Sequence, residues 1–127
     1  MLNFAIVGCG RIANKIVDGI ISNSKKAKLV AVCDILEDKM EQIKNRYIEK
    51  TNGSNKIIEV SNYKELLDKV KIDVAIVSTE SGYHEEIGLY FLENGVNVII
   101  EKPIAMSIQG AQKLVDEAKE KNLKLAA

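Results

Sequence analysis

Residues 3–34 read NFAIVGCGRIANKIVDGIISNSKKAKLVAVCD, and the order of residue types along this stretch decides the fold. Phe4-Ala5-Ile6-Val7 is an unbroken apolar run, the mark of a strand covered on both faces. Gly8-Cys9-Gly10-Arg11-Ile12-Ala13 follows at once and fits G-x-G-x-x-A. In that pattern the first glycine permits a tight turn and the second lets the backbone approach a pyrophosphate. The alanine lets a helix pack closely on the sheet. Ile12, Ile16 and Ile20, with Ala13, Val17 and Ile21, then form a two-row apolar stripe of helical period. The N–H groups and positive dipole end of that helix would face the phosphates. Leu29–Cys33 is a second buried strand, and Asp34 stands at its C-terminal end. A carboxylate there can accept both hydroxyls of an adenosine ribose. A glycine turn alone is weak evidence; strand, turn, helix, strand and acid in this order point to dinucleotide binding.

The remaining chain repeats the alternation. Leu36, Met40, Ile43 and Tyr47 recur at helical spacing, and Glu49–Asn55 is a polar loop with Asn52-Gly53 as its turn. Ile57–Val60 is a short third strand. Ser61 is expected to cap a short helix with Tyr63, Leu66, Leu67 and Val70 on its inner face. Asp73–Ser78 is a fourth strand, Thr79–Tyr83 a loop, and His84–Asn94 a helix closed by Gly95. Val96–Ile100 is a fifth strand and leads into Glu101-Lys102-Pro103. Ser107 caps a last helix with Ile108, Ala111, Leu114, Val115 and Ala118 on one face, and Leu123–Ala127 opens a sixth strand that the chain cuts short. Strands and helices alternating at this spacing imply an α/β fold, a doubly wound parallel sheet in the order 3-2-1-4-5-6. Residues 1–127 form one domain. Ligand would bind beyond the C-terminal ends of strands 1 and 4, which gathers Gly8–Ile12, Asp34, Ser78–Glu80 and Glu101-Lys102 around one crevice.

Composition excludes several classes. Lys+Arg and Asp+Glu balance at 18 each, so nothing suggests a nucleic-acid partner or an anionic membrane surface. Apolar runs of about five residues fall far short of the ~20 needed to span a bilayer. The N-terminus carries no secretory signal pattern, and Cys9 and Cys33 read as small reduced core residues, both as expected of a cytoplasmic protein. No metal is expected, because the single histidine, His84, has no Cys/His/carboxylate cluster near it in sequence.

With GCGRIA at 8–13, Asp34, STESGYH at 78–84 and NVIIEKPIAMS at 97–107 in place, the whole chain resembles the N-terminal domain of the glucose–fructose oxidoreductase / inositol dehydrogenase (Gfo/Idh/MocA) family. The resemblance implies a Rossmann domain binding NAD, in an oxidoreductase that moves a hydride from a sugar or nucleotide-sugar hydroxyl to the cofactor. The STESGYH wording is most similar to enzymes acting on nucleotide-linked amino sugars or their uronic acids.

Carried onto matching positions, the resemblance places the pyrophosphate on the backbone of Gly10, Arg11 and Ile12 beside Gly8, and the adenosine ribose on Asp34. Ser78 and Thr79 would line the adenine side, with Glu80 and His84 nearer the nicotinamide. Glu101 and Lys102 would adjoin the nicotinamide ribose, Lys102 reaching the substrate hydroxyl as the proton-transfer group. For His84 a packing or capping role weighs equally. Similar turns reverse sharply, which makes a cis Lys102–Pro103 bond a candidate. Two positions depart from the pattern: Glu80 stands where proline is frequent, and Ile16 where histidine is frequent.

Family members continue into a second domain that covers the nicotinamide, so this chain is expected to be one part of a longer enzyme, a homo-oligomer when whole, with a small-molecule sugar or nucleotide sugar as partner. Two other functions stay open on sequence alone. One is a non-catalytic dinucleotide sensor, against which Lys102 argues. The other is a methyltransferase, which Ala13 and the Glu-Lys-Pro turn disfavour.

Overall fold

The apolar runs and helical stripes fold as their order demands. The computed structural model describes residues 1–51 and 56–127, so the expected Asn52-Gly53 turn lies outside the described residues. Six strands form one parallel sheet: β1 (Leu2–Val7), β2 (Ala27–Cys33), β3 (Ile58–Val60), β4 (Val74–Val77), β5 (Asn97–Ile100) and β6 (Leu125–Ala126). Their order is β3-β2-β1-β4-β5-β6, the doubly wound arrangement expected from sequence. Helices α1 (Ala13–Ser22), α2 (Glu37–Thr51), α3 (His84–Glu93) and α4 (Ile108–Glu120) make the crossovers. No helix among the described residues is long and apolar enough to cross a membrane.

Within each apolar strand the side chains still alternate, as the pleat requires. Ile6 of β1 and Ile76 of β4 join Ala13, Val17, Met40 and Ile43 in the core under α1 and α2. Ala5, Val7, Ala75 and Val77 join Phe91, Leu92, Ile100 and Leu114 under α3 and α4. In β2 the alternation slips once. Phe4 pairs with Leu29 but Ala5 with Ala31, so Val30 is an extra residue in the ladder. That bulge puts Leu29 and Val32 in the α1/α2 core and Ala31 and Cys33 in the other. The strand therefore arrives at Asp34 with Cys33 paired to Val7.

Four local expectations are corrected. The segment after β3 is a 3-10 turn (Tyr63–Glu65) rather than a capped helix, and its cap is Asn62, whose side-chain oxygen accepts from Lys64 N–H at 3.0 Å. Ser61 and Asn62 are both cap-forming types, and the neighbour won. Ile108 is 87% exposed, although Leu114 and Ala118 of α4 are buried. It is the first residue of α4 and precedes that helix's first buried position, Gly110. Ile12 likewise stays largely outside the α1 core, which rests on Ala13, Val17 and Ile20. Glu49–Thr51, expected at the start of the polar loop, instead close α2. Other punctuation is as read: Ser107 Oγ accepts from Gly110 N–H at 3.0 Å, and Gly95 takes a φ of 80°.

Candidate functional site

The site begins with Gly8, whose φ is 97°. A side chain there would be strained by the backbone alone, and its Cβ would come within 2.6 Å of the Ser78 carbonyl and Thr79 nitrogen. The turn after β1 is thus pressed against the end of β4. Ser78, itself buried, fastens the two by donating from Oγ to Gly8 O at 2.7 Å. On the other side Gly8 N–H donates to Cys33 O at 2.8 Å. The sequence accounts for Gly8 as a turn residue; the close approach of β4 is the second reason for it, visible only in three dimensions.

Gly10 differs. Nothing lies within 4 Å of where its Cβ would be, so the missing side chain leaves open space. Among the described residues no group of the chain accepts from the N–H groups of Gly10, Arg11 and Ile12. Helix α1 has no acidic residue in its first turn and no side-chain cap. Three free donors and an uncompensated positive helix end around a vacant glycine surface suit an anion such as pyrophosphate. The Arg11 side chain is exposed.

Asp34 holds this turn as well as facing the crevice. Its Oδ2 accepts from Cys9 N–H at 2.7 Å and its Oδ1 from Leu36 N–H at 2.9 Å. Each carboxylate oxygen has a further lone pair, so both can still accept from ribose hydroxyls. Exposed Ile35 and Leu36 follow it, with no cation between Asp34 and the start of α2. Cys9 and Cys33 are free and buried beneath. Burial, with the Asp34 charge adding to it, pushes both thiols up to about 12, so they remain neutral core residues at ordinary pH.

A cavity of about 830 Å³ opens at this point. Gly8, Gly10, Asp34, Ser78, Thr79 and Glu80 line it, so six of the residues singled out by sequence converge. Sequence reading missed its far wall. That wall is Ser61, Asn62 and Tyr63 after β3, with Tyr83, Glu86 and Ile87 at the start of α3. Tyr63 donates its hydroxyl to Glu86 Oε2 at 2.9 Å and joins the two segments; burial first, then the Glu86 carboxylate, pushes the phenol up to about 12. The only signal of this wall was the turn-forming pair Ser61-Asn62.

Arg11, Ile12, His84, Glu101 and Lys102 do not line the cavity. Glu101 and Lys102 are exposed at the end of β5, one strand beyond β4, where Glu101 N–H donates to Val77 O at 2.9 Å. The Lys102–Pro103 bond is cis. His84 corrects an expectation. It is 1% exposed, and its ring nitrogens lie 2.7 Å from Pro103 O (Nδ1) and 2.8 Å from Thr79 O (Nε2). Neither nitrogen is left for a ribose hydroxyl, so of its two readings the structural one holds.

Comparisons with known proteins identify the family. Residues 2–127 match the GFO_IDH_MocA family, described as an oxidoreductase family with an NAD-binding Rossmann fold. The D-glucoside 3-dehydrogenase of Escherichia coli is 30% identical over 118 residues, 93% of this chain and 32% of that protein. The scyllo-inositol 2-dehydrogenase (NAD(+)) of Bacillus subtilis is 28% identical over 116 residues, 91% of this chain and 32% of that protein. Among solved structures, the WlbA dehydrogenase of Chromobacterium violaceum, in complex with NADH and UDP-GlcNAcA, superposes with a TM-score of 0.84. It is 28% identical, and the match covers 98% of this chain and 34% of that one. The chain therefore spans about a third of the length of these relatives. A methyltransferase reading is set aside by the same match. Sheet order, glycine turn and family match converge, and the chain belongs to the Gfo/Idh/MocA oxidoreductase family as its NAD-binding Rossmann domain.

Proposed function

We propose that this chain is the cofactor-binding part of a cytoplasmic dehydrogenase that oxidises a hydroxyl of a sugar or nucleotide sugar, with the covering substrate domain supplied by further chain. The observation that carries the reading is the pairing at one rim of the sheet: a vacant, donor-lined glycine turn after β1 and Lys102 at the end of β5. The named activities of the D-glucoside and inositol relatives support the substrate class, and the nucleotide-sugar complex of the WlbA neighbour supports its upper size.

In this reading the backbone N–H groups of Gly10, Arg11 and Ile12 hold the pyrophosphate beside Gly8, and Asp34 accepts from the adenosine ribose. Ser78, Thr79 and Glu80 form the floor between the two halves of the dinucleotide. Nicotinamide, when bound, supplies the hydride acceptor. Glu101 contacts the nicotinamide ribose, and Lys102 takes the proton that leaves the substrate hydroxyl. NAD is preferred to NADP, because Asp34 repels a 2′-phosphate and neither Ile35 nor Leu36 can neutralise it.

The test is Lys102→Ala in the full-length enzyme, assayed on a sugar or nucleotide-sugar panel with NAD. Turnover should fall roughly 10²–10⁴-fold, the usual worth of a positioned proton-transfer group, with NAD affinity changed far less. A full-length protein that binds NAD and oxidises nothing on the panel would favour the non-catalytic sensor instead.

A further inference from the structure

Among the described residues Ser78 and His84 are buried polar side chains, and both lie at the rim where the strands end. Ser78 ties the end of β4 to the glycine turn through Gly8 O. His84 sits one turn further round. Its Nε2 meets the carbonyl of Thr79, the residue after Ser78, and its Nδ1 meets the carbonyl of Pro103, the residue after Lys102. The two side chains therefore make one polar path: glycine turn, Ser78-Thr79, His84, lysine turn.

We propose that His84 is a positioning residue, which fixes the Glu101-Lys102-Pro103 turn relative to the cofactor crevice by donating from Nδ1 to Pro103 O. The inference rests on the proton-transfer reading of Lys102. A reason for such a fastener is visible in the structure. Glu101 and Lys102 are exposed and bond to no side chain among the described residues, so the lysine is aimed by its backbone alone. Beyond Ile100 the sheet contributes one bond, Glu101 N–H to Val77 O. Pro103 offers no N–H of its own, and its carbonyl is what the histidine grips. Both partners of the ring are carbonyl oxygens, which only accept. A neutral imidazole has one N–H and a cationic one has two; the proposal requires the proton at Nδ1 in either form. Packing alone would explain an aromatic ring at this place, but not two contacts under 3 Å to two separate turns.

The chain's single histidine makes the first measurement direct. Long-range ¹H–¹⁵N spectra of the ¹⁵N-labelled 127-residue chain contain one imidazole pattern, which should show a slowly exchanging proton on Nδ1. An Nδ1 without a proton, all of it on Nε2, would overturn the proposal even if no variant folds. The second measurement uses the full-length enzyme. An asparagine amide sits about where Nδ1 was and a glutamine amide about where Nε2 was. His84→Asn should therefore retain more turnover than His84→Gln. The glutamine variant should lose roughly 10–100-fold in kcat, the scale set by an ångström of misplacement, with NAD affinity near wild type. In a Lys102→Ala background His84→Gln should add nothing further, since its effect passes through the lysine. A glutamine effect that persists in full without Lys102, or that falls on NAD affinity with kcat intact, would sink the inference while leaving the lysine reading standing. Indifference of turnover to Lys102→Ala alone would remove both, and that single variant reports it separately.

Discussion

The two halves of the site are built in different ways. On the β1–α1–β2 side every group has a fixed place. Gly8 is wedged against β4, Asp34 is held through both oxygens, and the free N–H groups of Gly10–Ile12 are presented by a helix end that has no other anion to satisfy it. On the β4–α3–β5 side the backbone is fixed but Glu101 and Lys102 extend from it into solvent. The first half presents free N–H donors and a carboxylate held by two backbone N–H groups, with geometry that comes from the sheet. The second is a rim with chemistry-bearing side chains that no other side chain of the described residues restrains. Under the proposed function, this chain's own backbone would carry binding, and turnover would need the rim to be covered.

Substitutions that separate turn geometry from ligand contact test this difference. The largest effect expected is on stability: Gly8→Ala introduces both a disallowed φ and a Cβ overlapping the Ser78-Thr79 backbone. It should cost about 2–4 kcal/mol in denaturant unfolding of the chain, a strained backbone added to overpacking. A loss under about 1 kcal/mol would mean that the join to β4 is soft.

Next comes Asp34→Ala, which removes the ribose acceptors and orphans Cys9 N–H and Leu36 N–H together. Calorimetry should show NAD binding weakened about 10–100-fold and the margin over NADP narrowed, with about 1–2 kcal/mol lost in stability. Equal or tighter NADP binding by the unaltered chain would remove Asp34 as the selector.

Gly10→Ala should leave stability within about 0.5 kcal/mol, since its Cβ meets nothing in the protein, and weaken NAD roughly tenfold by entering the space left for phosphate. If Gly10→Ala and Gly8→Ala behave alike, the contrast between a wedged and a vacant glycine fails.

A separate effect is confined to alkaline pH. Burial pushes Cys9 and Cys33 up to about 12 in the folded chain, above an ordinary thiol value near 9. The unfolded chain therefore ionises first as pH rises. The thiols' contribution is fully present below about 9 and is lost progressively toward 12. Replacing both by alanine should flatten that part of a stability–pH curve, read by urea unfolding, while leaving its neutral part parallel to wild type. Tyr63, also raised to about 12, keeps a residual slope.

What the sequence disclosed follows the same division. Strand order, the glycine turn and Asp34 were legible because short-range pattern determines them: continuous apolar runs, a G-x-G-x-x-A between strand and helix, an acid at a strand end. The far wall of the cavity was not, since Tyr63 and Glu86 meet only after β3 and α3 are brought together. His84 was ambiguous for a related reason. Ile87, Phe91 and Leu92 at i+3, i+7 and i+8 put it on the buried face of α3, but the carbonyls its ring meets, Thr79 and Pro103, are brought to it only by the fold. Ile108 shows the opposite error, an apolar residue of the stripe that stays exposed at the first position of α4.

The bond from Ser78 to Gly8 has a bearing on how the chain folds. It spans 70 residues, and β1 can pair with β2 long before β4 arrives at its other edge. Contacts of such separation carry a loop-closure cost that must be met before they give anything back. The glycine turn can take its bonds to Cys33 and Asp34 within a nascent β1–α1–β2 unit, but its fastening to Ser78 is made only when the second half inserts β4 beside the first.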